Sequence, residues 1–355
     1  MAKLGSLCFY LGIMALAAGV SQLAAKRNKK WLLMIPIAVL SLVAGLRVST
    51  VGTDTQNMLA TIEYCYRHHF WNHSKEWLFY FLCEYLMKFW YNTSFVLTVF
   101  AVLNYAFIFA RLWDFRKTIH MGMSVALFVL FYFGTSMNII RQSLALAIIF
   151  YATRFLGRKK YLRFFIGVVI ASLIHISAFF AAVIPILYIF AEKRFTARKL
   201  FAVLLYIFGF IAASAYLLRF YGNYLHGEGV DIGIMTPVCM TLLFVTYLPH
   251  FVTQYRLRGF AEEETEQQSR QEVSIHLLFV LSFLGYLIEC VGFVFTWAGR
   301  AGMYMRFFEI VYYGVVFKSS MYDRLFKIVL FLVLLLLGGY SLWMYSRVIP
   351  YAMIF

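Results

Sequence analysis

The chain has 355 residues, 63% of them apolar and only 14% charged, with a mean hydropathy of +0.77. That leaves too little polar surface to coat a soluble globule, so a soluble enzyme of two or three domains is excluded. The formal net charge of +16 sits in short connectors between long apolar runs, which is how the positive-inside rule distributes charge. It is therefore read as a topology signal for a lipid bilayer and not as a nucleic-acid surface.

The first apolar run, Leu4 to Ala25, follows Lys3 and reaches the basic cluster at Lys26 without a small-residue cleavage site, which predicts a retained helix instead of a signal peptide. Further membrane helices are expected over Trp31 to Leu46, Ser94 to Ala110, Met121 to Met137, Ile139 to Phe155, Leu200 to Leu218, Met235 to Tyr255, Ser274 to Thr296, Arg306 to Phe317 and Leu325 to Tyr345. The fold class this predicts is an all-α integral membrane protein. It is a single polytopic bundle over residues 1–355 with about 10 to 12 membrane segments.

Six basic patches hold most of the lysines and arginines: Lys26 to Lys30, Arg111 to Lys117, Arg154 to Arg163, Glu192 to Lys199, Arg256 to Arg270 and Lys318 to Lys327. These are expected in the cytoplasm, together with the polar loop 256–273. The connectors Arg47 to Asn92, Thr135 to Gln142, Arg219 to Gly233 and Trp297 to Arg306 then fall outside.

The apolar run Phe164 to Phe190 has basic patches at both ends. Either it enters and returns as a broken or re-entrant pair with a bend near His175 to Pro185, or it is one tilted helix that breaks the charge rule. Within the outer segment 47–93, the aromatic stretch Trp77 to Trp90 reads as an interfacial helix, with a short tilted membrane helix as the alternative.

Charges at the ends of a membrane bundle are costly and mark candidate sites. Arg47 and Asp54 flank a Gly-Thr-Asp turn, where Asp54 is also suited to capping a helix. Arg141, followed by Gln142, opens an apolar helix with no acidic residue near it in sequence. An unpaired guanidinium there suits a phosphate, as it also suits a headgroup reached by snorkelling. His175 stands alone in an apolar run, fit either to be a satisfied core histidine or a general base. Arg300 and Arg306 precede Glu309, which is spaced to pair with Arg306.

His69 and His73, beside His68, are four residues apart in a polar loop and make only a weak metal signal; no metal and no cofactor is expected. Five cysteines, Cys8, Cys65, Cys83, Cys239 and Cys290, form no CxxC pair and support neither zinc nor a disulfide framework. The sequence contains no Walker loop, dinucleotide glycine fingerprint, GxSxG elbow or HExxH.

The segments GLRVSTVGTD (Gly45 to Asp54), NIIRQSLALAI (Asn138 to Ile148) and ASLIHISAFF (Ala171 to Phe180), in that order and spacing, resemble the EpsG family of exopolysaccharide proteins, which are Wzy-like polymerases. The stretch RFFEIVYY near the C-terminus is looser support, and Met58 stands where the family tends to place a tyrosine.

The resemblance implies a GT-C-like helical glycosyltransferase at the outer face of a bacterial cytoplasmic membrane. It would move a growing glycan from undecaprenyl diphosphate onto a lipid-linked repeat unit. On that basis Arg47, Arg141, Arg300 and Arg306 are expected at the diphosphate, His175 or Asp54 as the base, and Gln142 and Glu309 in support. Donor and acceptor oligosaccharides are the expected partners, with a chain-length regulator or export complex as a candidate protein partner. A lipid-linked oligosaccharide flippase, a membrane acyltransferase using His175, and a non-catalytic scaffold are the competing readings.

Overall fold

A computed structural model describes residues 2–69, 74–190, 235–257, 274–291, 296–344 and 348–353. Apart from one isolated bridge between Arg47 and Met353, every regular element among them is helical. Hydrocarbon offers the backbone no hydrogen-bond partner, so each apolar segment has to satisfy its own amides and carbonyls. Among the described residues five helices are long and apolar enough to cross a membrane: Lys3–Arg27, Thr93–Asp114, Met121–Asn138, Met235–Thr253 and Arg324–Met344. Shorter apolar helices cover Lys30–Gly45, Tyr161–Ile174, Ile176–Ile189 and Ile275–Cys290. The chain is a polytopic helical membrane protein. The helix expected over Leu200 to Leu218, most of the loop 256–273, and His73 lie outside the described residues.

In chain order the helices are α1 (Ala2–Arg27), α2 (Met34–Gly45), α3 (Thr55–His68), α4 (Trp77–Phe89), α5 (Thr93–Asp114), α6 (Met121–Phe128), α7 (Gly134–Asn138), α8 (Ile140–Ala152), α9 (Tyr161–Ile174) and α10 (Ile184–Phe190). They continue as α11 (Met235–Leu257), α12 (Ile275–Val291), α13 (Thr296–Arg306), α14 (Glu309–Lys318) and α15 (Arg324–Met344). A π-helical turn, Val129–Phe133, joins α6 to α7.

These pack as two compact units, one of Met1–Arg154, Ile166–Phe179 and Tyr313–Phe355, the other of Phe155–Phe165 and Phe180–Tyr312. In the first unit the helix ends sort by charge. At one end Arg116 Nε donates to Asn28 Oδ1 (3.0 Å), Gly122 N to Gln22 Oε1 (2.9 Å), His120 N to the Gly314 carbonyl (2.8 Å), and Lys318 Nζ to the Lys117 carbonyl. The basic connectors after α1, α5 and α14 therefore lie together. At the opposite end Tyr351 N donates to Ser6 Oγ (2.9 Å), Tyr351 Oη to the Val43 carbonyl (2.8 Å), and Val48 N to the Ala352 carbonyl (3.0 Å). The start of α1, the end of α2 and the segment after α15 meet there.

Without a hydrophobic force between helices in lipid, close packing depends on small residues. A Cβ on Gly45 would come within 2.6 Å of the Thr98 backbone, and one on Gly338 within 2.6 Å of Leu130 Cβ. Helix α15 buries Leu330, Leu334, Gly338 and Leu342 and exposes Leu325, Ile328, Leu332 and Leu336, an apolar outer stripe that only lipid would solvate.

Two local features position the site. Segment 47–93 forms two helices, of which α3 was not expected. At about 1.5 Å per residue α4 spans about 20 Å, too short to cross about 30 Å of hydrocarbon. It buries Phe79, Tyr80, Cys83, Glu84 and Met87 and exposes Trp77, Phe81, Tyr85 and Phe89. The run Phe164 to Phe190 is not one continuous helix. It breaks at His175 and continues as the 3-10 helix Ile176–Val183 before α10, where Pro185 occupies the first turn and its missing amide costs nothing.

Candidate functional site

The end of the first unit opposite its basic connectors is organised around Arg47. This side chain was expected to face a substrate, but it is 2% exposed and its guanidinium points inward. Nη2 donates to the Met137 carbonyl (2.7 Å), Nε to Thr55 Oγ1 (3.0 Å), and Nη1 to the Ala44 carbonyl. A buried guanidinium needs this many acceptors, and here three segments supply them.

The turn that follows is docked on the same partner helix. Thr53 N donates to Asn138 Oδ1 (3.0 Å), and Gly52 adopts φ +91, a left-handed conformation that side chains resist. Asp54 stands at the N-terminus of α3, exposed, and its side chain makes no capping bond. The segments around Arg47 and Asn138 are thereby clamped together.

Immediately after that clamp the chain turns at Ile139 and α8 begins, placing Arg141 in its first turn. Arg141 Nη1 donates to Glu76 Oε2 (2.7 Å) and to the Tyr80 hydroxyl (2.6 Å). The other carboxylate oxygen, Glu76 Oε1, accepts from Ile176 N (3.1 Å) and lies 2.7 Å from His175 Nδ1. At Nδ1 this is a close approach of ring and carboxylate without a formed hydrogen bond. Nε2 is buried with no hydrogen-bond partner among the described residues.

One carboxylate thus bridges a guanidinium and an imidazole. Burial pushes the Glu76 carboxyl up, but His175, Arg141 and the Ile176 amide together outweigh it and hold the group below its ordinary range. Glu76 and His175 are both buried, whereas the Arg141 side chain is 33% exposed and keeps Nε and Nη2 free of hydrogen bonds among the described residues. Gln142, next to it, is buried.

Arg306 and Glu309 belong to the second unit. They do not share a helix: Arg306 ends α13 and Glu309 begins α14. Their Nε to Oε1 separation is 3.7 Å, and a nearer acid, Glu289 of α12, takes Arg306 Nη1 at 2.7 Å. Tyr286 donates to Glu309 Oε2 (2.7 Å), and its ring lies under the guanidinium at 4.8 Å. Two carboxylates therefore neutralise Arg306. The crossing that brings them together is made by glycines, since a Cβ on Gly285 would come within 2.6 Å of Arg306 Cα, and Gly302 packs against Gly285 and Glu289. Arg300 is exposed one turn and a half earlier on α13.

Glu76 is the residue that sequence reasoning missed. It is 65 residues from Arg141 and 100 from Ile176. Its one local signal is a carboxylate directly before an aromatic amphipathic helix. Within that helix a second acid, Glu84, lies 2.5 Å from Lys88 Nζ and 2.7 Å from His69 Nδ1. Among the described residues no three His, Cys, Asp or Glu side chains gather where they would hold a metal ion.

The family model described as the EpsG family matches residues 30–353. Nothing matches among curated proteins or among solved structures.

Proposed function

Since the chain belongs to the EpsG family, exopolysaccharide polymerases of glycosyltransferase type, we propose that it elongates a lipid-linked glycan at the outer face of the cytoplasmic membrane. The donor in this reading is a growing glycan on undecaprenyl diphosphate, and the acceptor is a lipid-linked repeat unit. The observation that carries it is the Arg141–Glu76–His175 group, at the end of the first unit opposite its basic connectors.

An acceptor sugar hydroxyl attacks the anomeric carbon of the donor. The new glycosidic C–O bond forms as the bond to the diphosphate oxygen breaks, and the proton passes to His175 Nε2. Arg141 stabilises the negative charge growing on the departing diphosphate through its unengaged Nε and Nη2. Electrostatic contacts of this kind are each worth about 2.7 to 4 kcal/mol of barrier. Asp54, which is exposed, is a candidate for contacts to the sugars. Arg47 and Arg306, whose guanidiniums are already engaged, hold the frame.

The test is to incubate purified protein with a defined lipid-linked repeat, with and without chelator, and to resolve the products by length. A ladder is expected, strongly reduced in Arg141→Ala and His175→Ala proteins that insert normally. A flippase would move the repeat between leaflets without lengthening it, and an acyltransferase would modify it only with an acyl donor present. Full-length ladders from both variants would contradict the assignment.

A further inference from the structure

Glu76 has no role in the step written above, yet it touches both groups that do. We infer that Glu76 is a positioning residue: its Oε1 oxygen fixes the His175 ring through Nδ1 and leaves Nε2 to receive the proton, while its Oε2 oxygen sets the direction of Arg141. The inference rests on the polymerase reading.

An imidazole acts as a base through one nitrogen, and which one is decided by what the other is bonded to. At His175 the two nitrogens differ. Nδ1 faces a carboxylate oxygen at 2.7 Å, and a carboxylate has no proton to donate, so the ring presents its N–H there and keeps its lone pair on Nε2. Neither nitrogen has a formed hydrogen bond among the described residues, and Nε2 is buried. Leaving a buried acceptor unmet is costly, which fits an atom whose partner arrives with the substrate. A close approach at Nδ1 without a formed hydrogen bond is what a catalytic pair shows before substrate tightens it.

Glu76 is itself held. The amide of Ile176, the first residue of the 3-10 helix after the break, donates to the same Oε1. The break in the apolar run therefore supplies both the histidine and the donor that fixes its partner, which gives the interruption a purpose beyond topology. When His175 takes the proton, the charge on Glu76 stabilises the imidazolium. When the diphosphate leaves, Arg141 shifts part of its charge from Glu76 to the leaving group.

The test compares Glu76→Gln, His175→Ala and the double variant in the elongation assay, with folding checked by thermal melting in detergent. Glutamine keeps the shape and an acceptor oxygen but not the charge. Glu76→Gln is expected to lower kcat by about 10²- to 10⁴-fold, with KM for the lipid-linked donor changed less than kcat. It is expected to cost less in a protein that already carries His175→Ala, where only its hold on Arg141 remains to be lost. Near-wild-type kcat in a well-folded Glu76→Gln protein, or a fully additive loss in the double variant, would overturn the inference. Should Glu76→Gln fail to fold, Glu76→Asp replaces it, and the same two outcomes decide. If the unaltered protein does not lengthen the repeat at all, the polymerase reading fails first and independently of Glu76.

Discussion

Arg47 Nη2 donates to the main-chain carbonyl of Met137 at 2.7 Å, joining the end of α2 to the end of α7 across 90 residues of sequence. The guanidinium is buried and also serves Thr55 and the Ala44 carbonyl, so removing it leaves buried acceptors unmet. Arg47→Ala should lower stability by about 2 to 4 kcal/mol, given about 1 to 3 kcal/mol for each unmet buried group. Thermal melting of the purified protein checks this. A variant that melts like the wild type but makes shorter glycan would return Arg47 to the substrate.

Gly52 sits at φ +91 beside the Asn138 side chain that caps Thr53. An alanine there meets both backbone strain and a clash, so Gly52→Ala should cost about 1 to 3 kcal/mol. Asn138→Ala should be destabilising as well, since Thr53 N loses its acceptor. If the turn is a clamp, the two losses combined should fall short of their sum, which a double-mutant cycle measures directly.

The Glu76 carboxyl is held below its ordinary value of 4.5 by His175, Arg141 and the Ile176 amide, against the opposing effect of burial. A depressed carboxyl binds fewer protons folded than unfolded in the range between its two values. Its stabilisation is therefore complete above pH 4.5 and is lost as the pH falls through the lower, folded value. Melting temperature followed from neutral pH to below pH 4 should decline less steeply in Glu76→Gln than in the wild type. Parallel declines would show that the carboxylate is not held this way.

The membrane character, the helix positions and the gathering of the basic connectors at one end of the first unit follow from hydropathy and charge alone, because crossing hydrocarbon leaves a chain few options. The break at His175 was also legible, from basic patches at both ends of one apolar run. Helices α3 and α13 were not, since each is polar enough to pass for a loop. Glu76 was hidden for a different reason. Its partners lie 65 and 100 residues away, and a carboxylate in a polar stretch looks solvated until α4 docks and buries it. The same distance effect hid Glu289, which reaches Arg306 only because Gly285 and Gly302 let their helices touch.

That contact bears on how Arg306 should be tested. With Glu289 Oε2 at 2.7 Å and Glu309 Oε1 at 3.7 Å, the guanidinium is the cation for two buried or half-buried acids. Removing it strands both carboxylates, and breaking a buried pair from one side costs about 3 to 5 kcal/mol. Arg306→Ala should therefore fail first in stability, with loss of activity following loss of folded protein. Removing the nearer acid as well, in Arg306→Leu with Glu289→Leu, eliminates most of the uncompensated charge and should recover much of the melting temperature. Were Arg306 chiefly a diphosphate ligand, the double variant would melt normally and remain inactive, while Arg306→Ala alone would melt like the wild type. Melting curves and elongation assays on the two proteins separate these outcomes.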